Sequence, residues 1–327
     1  MRAVADARTN IALVKYWGKR DEALNLPAVG SISLTLDGLV TRTEVAFDPA
    51  LDGDRLELNG QPTTGRALRR VSELLDLLGE RTGGRPGAAV ISSNNFPTAA
   101  GLASSASAFA ALALAGSRAL GLQLPLAELS ALARRGSGSA ARSIFGGLVE
   151  MHRGERADGS DACAAPLADW DLRMVIGVTS EGMKATLSTD GMRHTAETSP
   201  YYPAWIESHP GDLAEARRAI AARDLAALGE VTERSCLTMH ASALAARPGI
   251  LYWSGATVDG FHVVRALRGE GVGVWFTADA GPHVKALCAP GDVDRVEGAL
   301  AGVRGVIRTL RCQPGPGARL LSVDGAM

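Results

Sequence analysis

Four short segments carry side chains whose types and spacing suit the transfer of a phosphoryl group. The stretch Asn94-Asn95-Phe96-Pro97-Thr98-Ala99-Ala100-Gly101-Leu102-Ala103-Ser104-Ser105 leads from a short apolar strand at 88–91 into a helix rich in alanine and serine. First-turn N–H groups of a helix lack intrahelical partners, and the helix dipole adds partial positive charge there, so an anion is well received. Pro97 stops the preceding segment, and Gly101 lets the backbone approach a ligand closely. Ser104, Ser105 and Ser107 add hydroxyls for phosphate oxygens or Mg²⁺. Taken alone, the segment reads equally as an ordinary capped helix N-terminus. It is not a Walker A loop, because no G-x-x-x-x-G-K-[ST] occurs.

A second cluster, Gly136-Ser137-Gly138-Ser139-Ala140-Ala141-Arg142-Ser143, places hydroxyls beside one guanidinium. That combination suits an oxyanion, which Arg142 can bind through two parallel N–H groups. The bland reading is a turn that ends the preceding helix. Near the N-terminus, Lys15-Tyr16-Trp17-Gly18-Lys19-Arg20 sets three cations beside two aromatic rings, which by itself reads as a strand edge. Asp279 follows an apolar strand and precedes Gly281-Pro282, where a carboxylate is usually a turn former and sometimes a catalytic group aimed into a cleft. Two anion-suited segments in one chain favour a reaction in which both partners carry phosphate. Gly271 and Gly273 lack the third glycine of a dinucleotide fingerprint, and no G-x-S-x-G nucleophile elbow is present.

These residues need a scaffold, and the hydrophobic pattern supplies one. Strands are expected within 28–48, at 88–91, 146–151, 174–178, 272–277 and 306–310. Helices are expected at 66–78, 102–120, 126–135, 213–222, 225–241, 258–267 and 293–300. The small residues of 102–120 imply close packing against another element. Strands and helices mix without strict alternation, which predicts an α+β fold of two lobes, 1–170 and 171–327.

Composition narrows the function classes. Lysine plus arginine (34) nearly balances aspartate plus glutamate (35), so no global field points to nucleic acid. The four cysteines form no C-x-x-C pair, which fits reduced thiols better than a metal or disulfide framework. The N-terminus lacks a signal-peptide core, and the apolar run at 109–115 is too short to span a bilayer. A cytoplasmic enzyme acting on small molecules, without nucleic acid or membrane, is the expectation.

Several stretches, in this order, resemble the diphosphomevalonate decarboxylases of the mevalonate pathway. They are Asn10-Ile11-Ala12-Leu13-Val14-Lys15-Tyr16-Trp17-Gly18-Lys19-Arg20-Asp21, Leu24-Asn25-Leu26-Pro27, the loop at 94–105, and 134–147. Gly191-Met192, Glu197-Thr198-Ser199 and Asp279-Ala280-Gly281-Pro282 continue the match. That family belongs with the galactokinase, homoserine, mevalonate and phosphomevalonate kinases. The loop alone would indicate only a small-molecule kinase, whereas Lys-Tyr-Trp-Gly-Lys with Asp-Ala-Gly-Pro is far more specific. The resemblance implies a ribosomal-S5-like N-terminal lobe, a ferredoxin-like C-terminal lobe, an active site between them, and a homodimer. It implies use of ATP and Mg²⁺ to phosphorylate the C3 hydroxyl of 5-diphosphomevalonate, after which phosphate and CO₂ leave to give isopentenyl diphosphate. The nearest alternatives are a relative acting on the 5-monophosphate, one that stops after 3-phosphorylation, or a non-catalytic nucleotide-binding protein of the same fold.

By the same resemblance, Pro97, Ala100, Gly101, Leu102, Ala103, Ser104, Ser105 and Ser107 cradle the ATP phosphates, with Ser92 and Asn94 nearer the nucleoside. Tyr16, Lys19, Arg66, Ser137, Ser139 and Thr195 hold the substrate diphosphate, and Trp17, Gly18, Gly138, Ala140 and Ala141 complete the substrate site. Arg142 binds the substrate carboxylate, Asp279 sits beside the C3 hydroxyl as general base or electrostatic orienter, Lys15 pairs with Asp279 and steadies charge on the phosphoryl group, and Ser188 touches the phosphate chains from the other side. Two positions depart from the family pattern: Ala278 stands where phenylalanine is common, and His283 where asparagine is frequent. None of the six histidines is assigned a role.

Overall fold

Ala3, Ala5 and Ala7 recur at the two-residue period of a strand and are fully buried. They lie on β1 (Arg2–Val14), which runs antiparallel to β4 (Ser31–Asp48) inside the larger sheet of the computed structural model. The structure describes residues 1–96, 103–182 and 185–324. Between these two strands, β2 (Lys19–Asp21) and β3 (Leu26–Pro27) form a small hairpin. β4 is followed by β5 (Arg55–Leu58), β6 (Gln61–Thr63), α1 (Arg66–Gly79) and β7 (Gly87–Asn94). Next come α2 (Ser104–Ala119), α3 (Leu126–Gly136), the single turn α4 (Ala140–Ser143), β8 (Leu148–Met151) and β9 (Ala164–Ala168).

The strands expected within 28–48 are one long bent strand. Its first half pairs with β8, Ser31 opposite Met151, and its second half with β7, Thr41 opposite Asn94. The bend falls where the β1 register shifts, Arg8 facing Val40 and Asn10 facing Thr35, with Gly38 at φ +73° in open space. The alanines of β1 support α2, whose Ala106, Ala110 and Ala113 are themselves fully buried. Small side chains on both surfaces let helix and sheet approach closely, as the composition of 102–120 predicts.

The second sheet is built from β10 (Arg173–Val178), then α5 (Ser188–Thr198), α6 (Tyr202–Ala222), α7 (Leu225–Leu244) and α8 (Gly255–Gly269). β11 (Val274–Thr277), β12 (Val284–Cys288), α9 (Val293–Ala301) and β13 (Arg308–Cys312) follow. The strand order is β11-β12-β10-β13, antiparallel throughout, with α8 and α9 in the two crossovers. This is the ferredoxin-like arrangement, with α5 to α7 inserted after its first strand. Successive β10 residues point to opposite faces: Val175 packs with Phe261, Val264 and Phe276, whereas Met174 and Ile176 join Ile11, Leu13, Ile32 and Leu34 of the larger sheet. Leu213, Ile220, Leu228 and Val231 of α6 and α7 fill the same core, so the two lobes share one apolar interior.

One expectation fails here. The last strand, β14 (Arg319–Asp324), returns to the first lobe and pairs antiparallel with β1. The lobe expected at 171–327 therefore gives its final strand to the larger sheet. Among the described residues, no helix is long and apolar enough to cross a membrane, and all four cysteines are unpaired.

Candidate active site

The chain leaves β1 at Val14 and places Lys15 at the junction of the lobes, 1 % exposed. The Lys15 Nζ donates to Asp279 Oδ1 at 2.8 Å and to the Ala12 carbonyl at 2.7 Å. Asp279 lies two residues beyond β11, in the turn that leads to β12. Its Oδ2 accepts from Lys285 Nζ at 3.1 Å. Burial by itself would raise the Asp279 pKa, but the two ammonium groups outweigh it and hold the carboxyl well below the usual carboxylate range.

Helix α7 supports this pair from beneath. Ser235 Oγ accepts the Lys15 backbone N–H at 3.0 Å, and Cys236 Sγ accepts that of Ala278 at 3.1 Å. His240 Nε2 lies 3.4 Å from the Ala278 carbonyl oxygen, and burial followed by the charge of Lys15 pushes its pKa down to about 3. His283, fully buried, accepts the Thr179 N–H at its Nδ1, 3.2 Å away. The two departures from the family pattern, Ala278 and His283, thus sit in the packing around the aspartate turn.

Arg142 approaches from α4, also 2 % exposed. Its Nε donates to Asn10 Oδ1 (3.1 Å) and Ser33 Oγ (2.9 Å), and its Nη1 to Ser31 Oγ (2.5 Å). Nη2 makes no hydrogen bond to a described residue, and the side chain lines the cleft. Burial pushes the pKa down to about 10, with Asp279 and Tyr16 opposing, so the guanidinium stays charged at neutral pH. Asn10 Nδ2 in turn donates to Ser139 O and Ser143 Oγ, fixing α4 on β1.

Lys15, Arg142 and Asp279 border a cleft of about 920 Å³. Tyr16, Trp17, Lys19, Arg66, Ser137, Gly138, Ser139 and Ser188 line it, as do Ala103, Ser104 and Ser105 at the start of α2. The two glycine- and serine-containing segments meet there: Ser105 Oγ is 3.2 Å from Ser137 Oγ, which is 3.4 Å from Ser139 Oγ. Ala103 adopts φ 55° at the α2 N-cap, where its methyl side chain makes no cap hydrogen bond. Gly138 is needed for space, since a Cβ there would lie 2.2 Å from Tyr16 Oη. Gly18, at φ +88°, does not line the cleft, and a Cβ there would lie 1.8 Å from Tyr202 Oη. Burial pushes the Tyr16 hydroxyl up to about 12.

A smaller apolar pocket of about 180 Å³ adjoins the first. Leu56, Leu58, Val71, Val90, Phe109 and Leu112 form its walls, with Ser92, Asn94, Ser104 and Ser105 at its rim. Ser92 and Asn94 bond to Thr43 and Thr41 across the sheet.

Other expected site residues are placed differently. Ser107 is fully buried and bonds Thr41 Oγ1 at 2.6 Å, because its position one turn along α2 faces the sheet and not the cleft. Ala140 and Ala141 are fully buried, Ala141 packing on Val149 and Met151. Thr195 is buried on the inner face of α5 and does not line the cleft. Arg66 is exposed at the rim, where it pairs with Asp190 at 3.1 Å. Pro97, Ala100, Gly101 and Leu102 lie outside the described residues.

Sequence reasoning missed Lys285, Arg70 and Arg135. The signal for Lys285 was a lone charge inside the apolar strand Val284-Lys285-Ala286-Leu287-Cys288. Arg70 and Arg135 line the cleft with Lys19 and Arg66, interspersed with Glu22, Glu73, Asp76 and Glu80. Burial, then the neighbouring Arg66, lowers the Arg70 pKa, with Glu73 opposing.

Two family models cover most of the chain. Residues 7–164 match the diphosphomevalonate decarboxylase-like N-terminal domain, and residues 174–306 the mevalonate 5-diphosphate decarboxylase C-terminal domain. The diphosphomevalonate decarboxylase of Homo sapiens is 41 % identical over 302 residues, covering 85 % of this chain and 74 % of that protein. The crystal structure of mevalonate diphosphate decarboxylase from Staphylococcus aureus superposes with a TM-score of 0.92 at 39 % identity, covering 98 % of each chain. MDDEF in complex with MVAPP, AMPPCP and magnesium gives 0.92 and 39 %, over 99 % of each chain. With this similarity along both lobes, the chain belongs to the diphosphomevalonate decarboxylase family.

Proposed function

We propose that this enzyme uses ATP to decarboxylate 5-diphosphomevalonate to isopentenyl diphosphate, with Lys15, Arg142 and Asp279 as the reacting-end residues. The observation that carries the reading is the buried Lys15–Asp279 ion pair beside Arg142, at the edge of a cleft large enough for two phosphorylated molecules. The relative solved with MVAPP, AMPPCP and magnesium supports the same pair of substrates.

The residues fit these ligands. Lys19, Arg70 and Arg135, with Arg66 at the rim, offer charge to a diphosphate, and the start of α2 with Ser104 and Ser105 suits the nucleotide phosphates. The adjoining apolar pocket suits a flat ring. Among the described residues no group of three acidic, histidine or cysteine side chains converges, so Mg²⁺ fits best as an ion held by the phosphates with help from these hydroxyls. MgATP, when bound, supplies the phosphoryl group and the charge that neutralises its transfer.

Asp279 accepts a hydrogen bond from the C3 hydroxyl and orients it toward the donor. Lys15 holds that carboxylate and steadies negative charge on the group in transit. Arg142 presents Nη2 to the substrate carboxylate, keeping it aligned for loss as CO₂ when the 3-phosphate departs. As positive charge develops at C3, the ionised Asp279 stabilises it. A cytoplasmic homodimer fits the family resemblance and the unpaired cysteines.

The test is an assay of purified protein with mevalonate, its 5-phosphate and its 5-diphosphate, following ADP and CO₂ together. Equal release of both from the 5-diphosphate is expected. ADP without CO₂ would identify a 3-kinase, and preference for the monophosphate would change the substrate.

A further inference from the structure

β12 is buried along its whole length, and its side chains alternate between the two faces of the sheet. Val284, Ala286 and Cys288 pack with α8, so Lys285 and Leu287 face the shared core, where Leu287 joins β1 and β4. Lys285 is 1 % exposed in that apolar setting. Removing an ammonium from water costs several kcal/mol, and an apolar side chain of similar volume is often as stable or more so. Lys15 already occupies Asp279 Oδ1, so a second buried lysine on the same carboxylate is not explained by stability.

Geometry supplies the reason. Thr277 lies opposite Lys285 in the β11–β12 ladder, and Asp279 follows Thr277 by two residues, so the hairpin itself sets the spacing of carboxylate and ammonium. Lys15 comes from the other lobe and takes the other oxygen. With each oxygen bound by a different cation, the carboxylate has no freedom to rotate. We propose that Lys285 is a positioning residue: by binding Oδ2 while Lys15 binds Oδ1, it fixes the Asp279 carboxylate in the orientation that meets the substrate C3 hydroxyl. This rests on the assignment of Asp279 as the group that faces that hydroxyl.

The charged and titratable groups facing Asp279 are Lys15 after β1, Lys285 on β12, Arg142 on α4, and Cys236 and His240 on α7. Without Lys285, Lys15 and Arg142 still keep the carboxylate ionised at neutral pH, but its proton affinity rises. An opposite charge at this range is worth about 1–3 pH units. Lys285→Met and the more polar Lys285→Gln are compared with the unaltered enzyme and with Asp279→Asn, using thermal melting and ATP-analogue binding to establish folding. Either folded Lys285 variant should lose about tenfold or more in kcat, keep its KM for ATP within about twofold, and show the acid limb of kcat moved to higher pH by about 1 unit or more. A purely structural lysine would leave that limb in place. Wild-type kcat with an unmoved acid limb in a folded variant overturns the proposal, provided Asp279→Asn is inactive. An active Asp279→Asn overturns the assignment of Asp279 instead.

Discussion

Lys15 and Asp279 stand 264 positions apart in the chain, yet Nζ and Oδ1 meet at 2.8 Å in a site where the lysine is almost fully buried. One partner comes from the end of the first long strand and the other from a hairpin turn of the second sheet, so the ion pair exists only when the lobes are docked. The shared core of β1, β4, β10, α6 and α7 enforces that docking. Catalytic geometry and fold stability are therefore linked through the same interface.

Arg142 is held by Asn10, Ser31 and Ser33, which leaves Nη2 to address the substrate. A lysine cannot reproduce three directed bonds and a free donor, and it leaves buried hydroxyls unpaired. Arg142→Lys should lower kcat/KM for the 5-diphosphate by about 100-fold or more, with ATP-analogue affinity nearly unchanged. Steady-state kinetics with both substrates varied measures this; an unaltered kcat/KM would make Arg142 merely structural.

Ser105 and Ser107 separate a ligand role from a packing role on one helix. Ser105 lines the cleft, whereas Ser107 bonds Thr41 in the interior. Ser107→Ala should cost about 1–2 kcal/mol of stability while leaving the KM for ATP within about twofold. Ser105→Ala should raise that KM with little loss of stability. Denaturant unfolding and kinetics on the two variants decide the matter, and the reverse pattern would restore Ser107 to the nucleotide site.

His240 makes stability depend on mild acid. Burial holds its folded pKa near 3, below the value of about 6.5 expected in the unfolded chain, so below about pH 6.5 the unfolded state binds the extra proton. Stability is full above that pH and declines as pH falls toward the folded value, by up to about 1.4 kcal/mol per unit. His209, also depressed by burial, contributes in the same direction. Melting temperatures between pH 4 and 8 should fall less steeply for His240→Gln than for the unaltered protein. Identical slopes would mean that His240 is not buried and neutral.

Most helices and three of the four strands of the second sheet were legible because their apolar residues keep clear periods, whereas β12 and α5 were not expected. Residues 66–78, 126–135 and 293–300 match α1, α3 and α9 closely. β1 was hidden because Asp6, Arg8 and Asn10 interrupt its apolar pattern, and the reason is tertiary: Arg319 on β14 pairs with Asp6, which also binds Arg8. The start of α6 was hidden by Pro203 and Pro210, although proline is tolerated in a first turn and α6 carries Pro210 within its length. In the site, Lys15, Arg142 and Asp279 were readable through motif resemblance. Lys285 was not, although a lone charge within the apolar run 284–288 marks it, because that run is too short to stand out as a strand without its partners. Ser107 and Thr195 show the opposite: their residue types suit phosphate, but both lie on buried faces of their helices.

The central claim, that an ionised Asp279 serves the reacting C3 centre, is tested most directly by Asp279→Asn, which keeps the shape and removes the charge. Turnover of the 5-diphosphate should fall by about 10²- to 10⁴-fold, with ADP and CO₂ release falling together and ATP-analogue affinity within a few fold of the unaltered enzyme. Turnover at the unaltered rate in a folded Asp279→Asn enzyme would contradict the account.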